Sequence, residues 1–254
     1  MITLYHGLAS TCSKKVRLTL FEKGLEFESR LVNLQKFEQH NPDYLALNPS
    51  GVVPTLVHDG RAIVESTLII GYIDDVWSSP ALSPENAYDR ARMGLWTKWS
   101  DEHAYKAVYV PTWDKLSRPV ASKFTDAELD QYLAKIPTAE RRERWRATAR
   151  EGFTESEFKA AYSEMELTFD RMEAALAIAG PWLIGSFYSL ADIAMVPFVE
   201  RINDLRPDLL LGGTWPRVSD WCDAIAERPA YEKAFFFEGH DASISAIRKA
   251  LGLD

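Results

Sequence analysis

Cysteine is almost absent: the 254 residues contain two, Cys12 and Cys222. Two cysteines so far apart exclude a disulfide framework and show no metal-ligand spacing, so a reducing cytoplasm is the expected setting. Long apolar runs are missing as well. Stretches such as residues 68–70 fall far short of the roughly 20 residues that a membrane helix needs. No basic segment with an apolar stretch follows Met1, so no export signal is expected. Basic charge is in deficit, with 29 Lys and Arg against 37 Asp and Glu for a net −8. A nucleic-acid partner would need a basic face, and is not expected. Lys14, Lys15 and Arg17 are a local exception. So is the run Arg141-Arg142-Glu143-Arg144, which its interleaved acids mark as a solvated helix face. Internal repeats and low-complexity segments are absent too.

What remains is rich enough to fold. Hydrophobic residues make up 46% and aromatic residues 12% of the chain, enough for a full core. The first 77 residues mix two periodicities. Residues 2–5 read as a strand. Val16 and Leu20 lie four apart in a helical stretch, 14–23, that stops at Gly24. Residues 27–32 read as a second strand, and a poorly defined stretch follows. Residues 55–58 and 61–64 flank Asp59-Gly60, a strong two-residue hairpin signal. A further helix begins at Ser66. The expected product is a small α/β domain over 1–77.

Beyond Trp77 strand alternation gives way to helical spacing, and an all-α domain is expected over 84–254. Long helices are expected over 86–109, 157–178, 189–203 and 217–228. Between the first two, residues 114–156 are charge-rich. TDAELDQYL and AERRERWRATAREGF read there as short amphipathic helices that need somewhere to bury Leu129, Tyr132, Leu133, Trp145 and Phe153.

Two small units in the first domain suggest chemistry. Pro54 precedes a strand and cannot donate to its ladder. If the Val53–Pro54 bond is cis, Val53 can offer its own N–H and C=O to an extended backbone, as if adding a strand. An ordinary trans edge proline is the alternative. Glu65-Ser66 opens a helix, whose N–H groups and serine hydroxyl suit an anion while Glu65 suits an ammonium. Plain N-capping by Ser66 is the alternative here. Together they describe a receptor for a short zwitterionic peptide. The polar cap of residues 10–13 starts the other helix, where hydroxyls and a positive helix end would ionise a thiol held in the groove.

The motifs that carry these features resemble those of the glutathione S-transferases over essentially the whole chain. They are STCSKKVR (10–17), NPSGVVP (48–54), ESTLIIGYI (65–73), SLADIAMVPF (189–198) and DWCDAIAERPAYEKA (220–234). In the fourth, Ser189 and Asp192 form a capping box. The resemblance implies a thioredoxin-like N-terminal domain, an all-α C-terminal domain carrying the acceptor pocket, a cis Val53–Pro54 bond, glutathione as cosubstrate and a homodimer. Within the family, FEKGLEFE (21–28), KFEQH (36–40), ESTLII (65–70), LWTKWSDE (95–102) and the inserted ERWRATAREGF (143–153) resemble bacterial glutathione-dependent β-aryl-etherases.

By that resemblance the activating hydroxyl follows the first strand. Ser10, Cys12 and Ser13 each match a position used in the family, and Ser13 and Ser10 are favoured. Cys12 could instead form a mixed disulfide with glutathione. Thr11, Cys12, Gln39, His40, Val53, Pro54, Glu65 and Ser66 are the expected glutathione contacts, with His40, when protonated, meeting the carboxylate of the glycine end. Some of Trp96, Trp99, His103, Tyr105, Tyr109 and Trp113 would line a pocket for a small aromatic electrophile. The implied reaction is substitution by glutathione thiolate at an electrophilic carbon, in the etherase form beside an aryl ketone with release of a phenol. Glutathione-dependent cis–trans isomerisation, generic conjugation and a non-catalytic binding module are the alternatives.

Overall fold

The computed structural model describes residues 1–253. It opens with β1 (Ile2–His6), α1 (Thr11–Glu22) and β2 (Glu28–Leu31), followed by two 3-10 turns and a short α2 (Pro42–Leu47). Then come β3 (Thr55–His58), β4 (Arg61–Val64) and α3 (Ser66–Val76). The sheet order is β2-β1-β3-β4, with β1 parallel to β2 and the other two pairings antiparallel. The β3–β4 turn forms where Asp59-Gly60 predicts it. Both residues take positive φ, 48° and 77°, the twist that a two-residue hairpin requires.

Helix α1 starts earlier than its apolar spacing suggests, because Ser10 caps it: the Ser10 hydroxyl accepts the Ser13 amide. Cys12 and Ser13 therefore lie inside its first turn. The cations of α1, the local exception to the acidic balance, do not form a surface patch. Lys14, Lys15 and Arg17 are all fully buried. Lys14 Nζ sits 2.9 Å from both Glu200 oxygens, and burial pushes its pKa down to about 8. Arg17 donates to the carbonyls of Gly7, Leu8 and Ala234 and meets His6 Nδ1 at 3.1 Å. Burial, with Arg17 alongside, drives the His6 pKa down to about 3.

From Ala87 onward the fold is helical. The stretch expected as one helix over 86–109 is α4 (Ala87–Trp99), a π-helical turn over Ser100–Ala104, and α5 (Tyr105–Leu116). Then follow α6 (Arg118–Ala121), α7 (Asp126–Leu133), α8 (Ala139–Glu151), α9 (Glu155–Ala179) and α10 (Leu190–Leu205). The chain ends through α11 (Pro207–Leu211), α12 (Pro216–Ala226), α13 (Pro229–Phe235) and α14 (Ile244–Ala250). The Ser189–Asp192 capping box forms as its sequence predicts. One apolar core runs through both halves, from Leu4 and Leu56 in the sheet to Phe169, Phe198 and Phe235 in the helices. Helices α6 to α8 bury a second, smaller cluster of their own around Leu129, Leu133 and Ile136. Among the described residues no helix is long and apolar enough to cross a membrane, and no group of His, Cys, Asp and Glu could hold a metal.

Candidate active site

The loop before β3 is pinned from behind. Tyr44 Oη donates to the Val52 carbonyl at 2.6 Å and meets Thr55 Oγ1 at 2.9 Å. Asn48, itself buried, donates to the same two oxygens at 2.9 and 3.2 Å and accepts the Ser50 amide at 3.0 Å. Those bonds hold Val53 forward. The Val53–Pro54 peptide bond is cis, and neither the amide nor the carbonyl of Val53 has a hydrogen-bond partner among the described residues. Buried backbone groups are normally paired, so a free donor and acceptor on one half-buried residue at a cavity wall are ready for an extended ligand.

Two helix starts face the same space. At α3 the capping position belongs to Glu65, whose backbone lies at φ 67° and whose side chain makes no cap bond. A positive φ at a non-glycine residue costs of order 1–3 kcal/mol and is retained where the surroundings over-determine it. Ser66 is therefore the first residue of the helix, not its cap. The amides of Ser66 and Thr67 are left without partners among the described residues. Around α1 the Thr11 and Cys12 amides are likewise unbonded. First-turn N–H groups of this kind favour negative charge.

A cavity of about 700 Å³ connects these elements. It is lined by nine of the ten site residues read from the sequence: Ser10, Thr11, Cys12, Gln39, His40, Val53, Pro54, Glu65 and Ser66. Ser13 is not among them. It is fully buried, and its hydroxyl accepts the Gly7 amide at 3.1 Å, tying the end of β1 to α1. The expectation that Ser13 supplies an activating hydroxyl is thereby corrected, since its oxygen is committed on the inner side of the helix.

His40 also departs from expectation. Its ring is buried against Gly51, where a Cβ would come within 2.7 Å of it, and Gly51 holds φ 59°. Burial first, then the neighbouring Arg141 and Lys135, lower its pKa to about 4, with the Gly51 backbone opposing slightly. A protonated His40 is thus disfavoured near neutral pH. Its two ring nitrogens and Gln39 Oε1 make no hydrogen bond of good geometry.

Several lining residues carry no recognisable sequence signal. Asp101, from the π-helical turn, is with Glu65 a second acid on the lining. It accepts from Thr67 Oγ1 at 2.9 Å and from Lys15 Nζ at 3.2 Å. Lys15 also donates to Thr67 at 2.9 Å and Ser100 at 3.2 Å, so one buried ammonium joins α1, α3 and the helical half. Arg201, fully buried in α10, donates to the Ala9 carbonyl at 2.9 Å. Arg141 and Arg144 line the mouth from α8, where the sequence suggests only a solvated face.

The remaining wall is aromatic. Tyr105, Tyr109 and Trp113 project into it from α5 and Trp145 from α8, with the Trp113 and Trp145 rings 4.0 Å apart in a T-shape. Trp96, Trp99 and His103 do not line it: Trp96 is core, and Trp99 stacks on His103, which bonds Glu164 at 2.9 Å. Burial raises the Tyr105 and Tyr109 phenols above their ordinary pKa, with Cys12 adding to the effect at Tyr105. Both stay protonated at neutral pH and remain donors. The lining thus combines polar and charged side chains, free backbone amides and an aromatic group.

Known proteins are similar to this chain in sequence and fold. The family descriptions "Glutathione S-transferase, N-terminal domain" and "Glutathione S-transferase, C-terminal domain" match residues 9–76 and 130–229. Protein LigF of Sphingobium sp. is 35% identical over 92% of this chain and 93% of its own length. The crystal structure titled beta-etherase LigF superposes with a TM-score of 0.83 at 34% identity, covering 92% of this chain and 98% of that one. Glutathione S-transferase F10 of Arabidopsis thaliana is 29% identical over 92% of this chain and 95% of its own. The chain belongs to the glutathione S-transferase family, whose members use glutathione as cosubstrate.

Proposed function

We propose that the protein binds glutathione and uses its thiolate to displace a leaving group from an aromatic electrophile, cleaving β-aryl ethers. The observation that carries the reading is the unpartnered backbone of Val53, set between two helix starts and opening onto an aromatic wall. The cysteinyl residue of glutathione pairs with Val53. Its γ-glutamyl carboxylate lies on the Ser66 and Thr67 amides, and its ammonium lies between Glu65 and Asp101. The sulfur rests at the start of α1, where the Ser10 hydroxyl and the Thr11 and Cys12 amides favour the ionised form.

The chemistry then needs little from the protein beyond charge and position. The thiol proton leaves to solvent. The thiolate forms a carbon–sulfur bond at the carbon beside an aryl ketone, and the carbon–oxygen bond to the second ring breaks. A phenolate departs with the electron pair and is protonated by water. Tyr105, Tyr109 and Trp113 hold the rings. Exposed apolar side chains such as Leu68 and Leu95 fit a homodimer, and the low cysteine content fits the cytoplasm.

Incubation with glutathione and an aryl-ether ketone dimer tests the reading. The expected result is stoichiometric release of the phenol with a glutathione thioether of the ketone. Conjugation of simple electrophiles without phenol release would make the protein a generic transferase, and turnover of a cis-enoyl acid alone an isomerase.

A further inference from the structure

We propose that Arg141, on the inserted helix α8, is the positive charge that recognises the glycine-end carboxylate of glutathione, the part expected of His40. The assignment rests on the glutathione reading above and adds to it a residue from outside the N-terminal domain. Three guanidinium groups line the cavity, and two are already matched. Arg144 pairs with Glu157, and Arg201 Nε lies 3.8 Å from Asp204. Arg141 has no carboxylate within ion-pair distance among the described residues; it donates to the carbonyl of Ser50, a lining residue three positions before Val53.

The position fits the tripeptide. With its γ-glutamyl end at Ser66 and its middle residue on Val53, the peptide runs out toward the wall formed by Gln39, His40, Ser50 and Arg141. There Gln39 Oε1 and both His40 nitrogens are buried without hydrogen bonds of good geometry. Neutral His40 can donate one hydrogen bond to a carboxylate but brings no charge, and Gln39 Oε1 can only accept. His40 is faced by two cations, Arg141 on α8 and Lys135 in the turn after α7, and lies against the Gly51 backbone. A guanidinium can meet a carboxylate with two parallel N–H bonds, which a lone neutral imidazole cannot. Helix α8 is held over this wall by its own small core, and Phe37 of the sheet domain packs on Tyr132 and Trp145 at 4.9 Å. The insertion therefore completes the glutathione site as well as bordering the acceptor pocket.

Calorimetric titration of the full chain with glutathione, and with its glycine monoethyl ester, tests this. The ester keeps every other group and removes the charge. Wild type is expected to bind glutathione more tightly than the ester. Arg141→Gln should weaken glutathione by about tenfold or more, the range of a charged hydrogen bond, while leaving the ester affinity near wild type. Arg141→Lys should recover part of the loss. Because Arg141 is outside the core, melting curves should show all variants folded. Wild-type affinity for glutathione should not strengthen as pH falls from 8 to 5.5, because a thiol ionised on binding can only weaken it in that direction. Equal weakening of both ligands in Arg141→Gln, or of neither, overturns the assignment. So does an affinity that rises as pH falls through the histidine range and levels in His40→Gln. Binding of neither ligand by wild type overturns the glutathione reading itself, and this assignment with it.

Discussion

Ser10 accepts the amide of Ser13 at 3.2 Å, and that one bond separates the roles of two hydroxyls three residues apart. It makes Ser10 the cap of α1 and leaves it at the cavity wall. It also places Ser13 in the first turn, where its oxygen turns back to Gly7.

Ser10→Ala removes a helix cap together with the hydroxyl that the proposed complex sets beside the sulfur. A hydrogen bond to a charged group contributes about 1.5–3 kcal/mol, so kcat/KM should fall roughly 10- to 100-fold. Stability should drop by about 1 kcal/mol from the lost cap. Ser13→Ala should do the reverse, costing about 1–3 kcal/mol through the unpaired Gly7 amide while the folded enzyme keeps kcat/KM close to wild type. Steady-state kinetics and denaturant melts on both variants check the division.

Trp113→Ala should act on the acceptor alone. Its ring lines the cavity from α5 and is paired with Trp145 at 4.0 Å. Losing a stacking surface worth about 1.5 kcal/mol should raise KM for an aryl-ether substrate about tenfold. KM for glutathione should not change. A matched rise in both would mean that the aromatic wall is structural support for the whole cavity.

Much of this site is legible in local sequence, because its parts are short backbone devices. Asp59-Gly60 signals a hairpin and Ser189-x-x-Asp192 a capping box, and Val-Val-Pro followed by Glu-Ser allows a free edge beside a helix start as one of two readings. The parts that escape are side chains brought in from a distance. Arg141 and Arg144 give the same amphipathic pattern whether α8 faces solvent or a polar cavity. Lys14, Lys15 and Arg17 read as surface charge, yet α10 and α13 cover them and supply Glu200 and the Ala234 carbonyl. Ser10 and Ser13 cannot be ranked until the start of α1 is known, since one position of the cap decides which hydroxyl faces inward.

Acid should destabilise the fold through two histidines. His6 and His40 have folded pKa values of about 3 and about 4, below the ordinary 6.5. Above pH 6.5 both are neutral folded or unfolded, and pH has no effect through them. Between pH 6.5 and about 4 the unfolded chain takes up protons that the folded chain refuses, so stability falls as pH falls. Each histidine contributes a slope of about 1.4 kcal/mol per pH unit in that window. Urea melts from pH 7.5 to 4.5 should show that slope reduced by one proton's worth in His40→Gln, with no change above pH 7.

Lys15→Met should loosen the junction of the two halves. The buried ammonium serves Thr67, Ser100 and Asp101 together. Breaking a buried pair costs about 3–5 kcal/mol. Asp101 is about half exposed, at 48%, and can be rehydrated, which brings the expected loss nearer to 2 kcal/mol. Because Thr67 sits in the first turn of α3, glutathione affinity should fall as well. Thermal melts with and without glutathione separate the two effects.

The ionisation of bound glutathione tests the central claim most directly. A pH titration of the thiolate's ultraviolet absorbance, with calorimetric saturation confirmed at each pH, reports the thiol's pKa in the complex. The account predicts a value at least one unit below that of free glutathione, rising in Ser10→Ala. An unshifted pKa in a saturated complex, or no heat of binding at all, would contradict it.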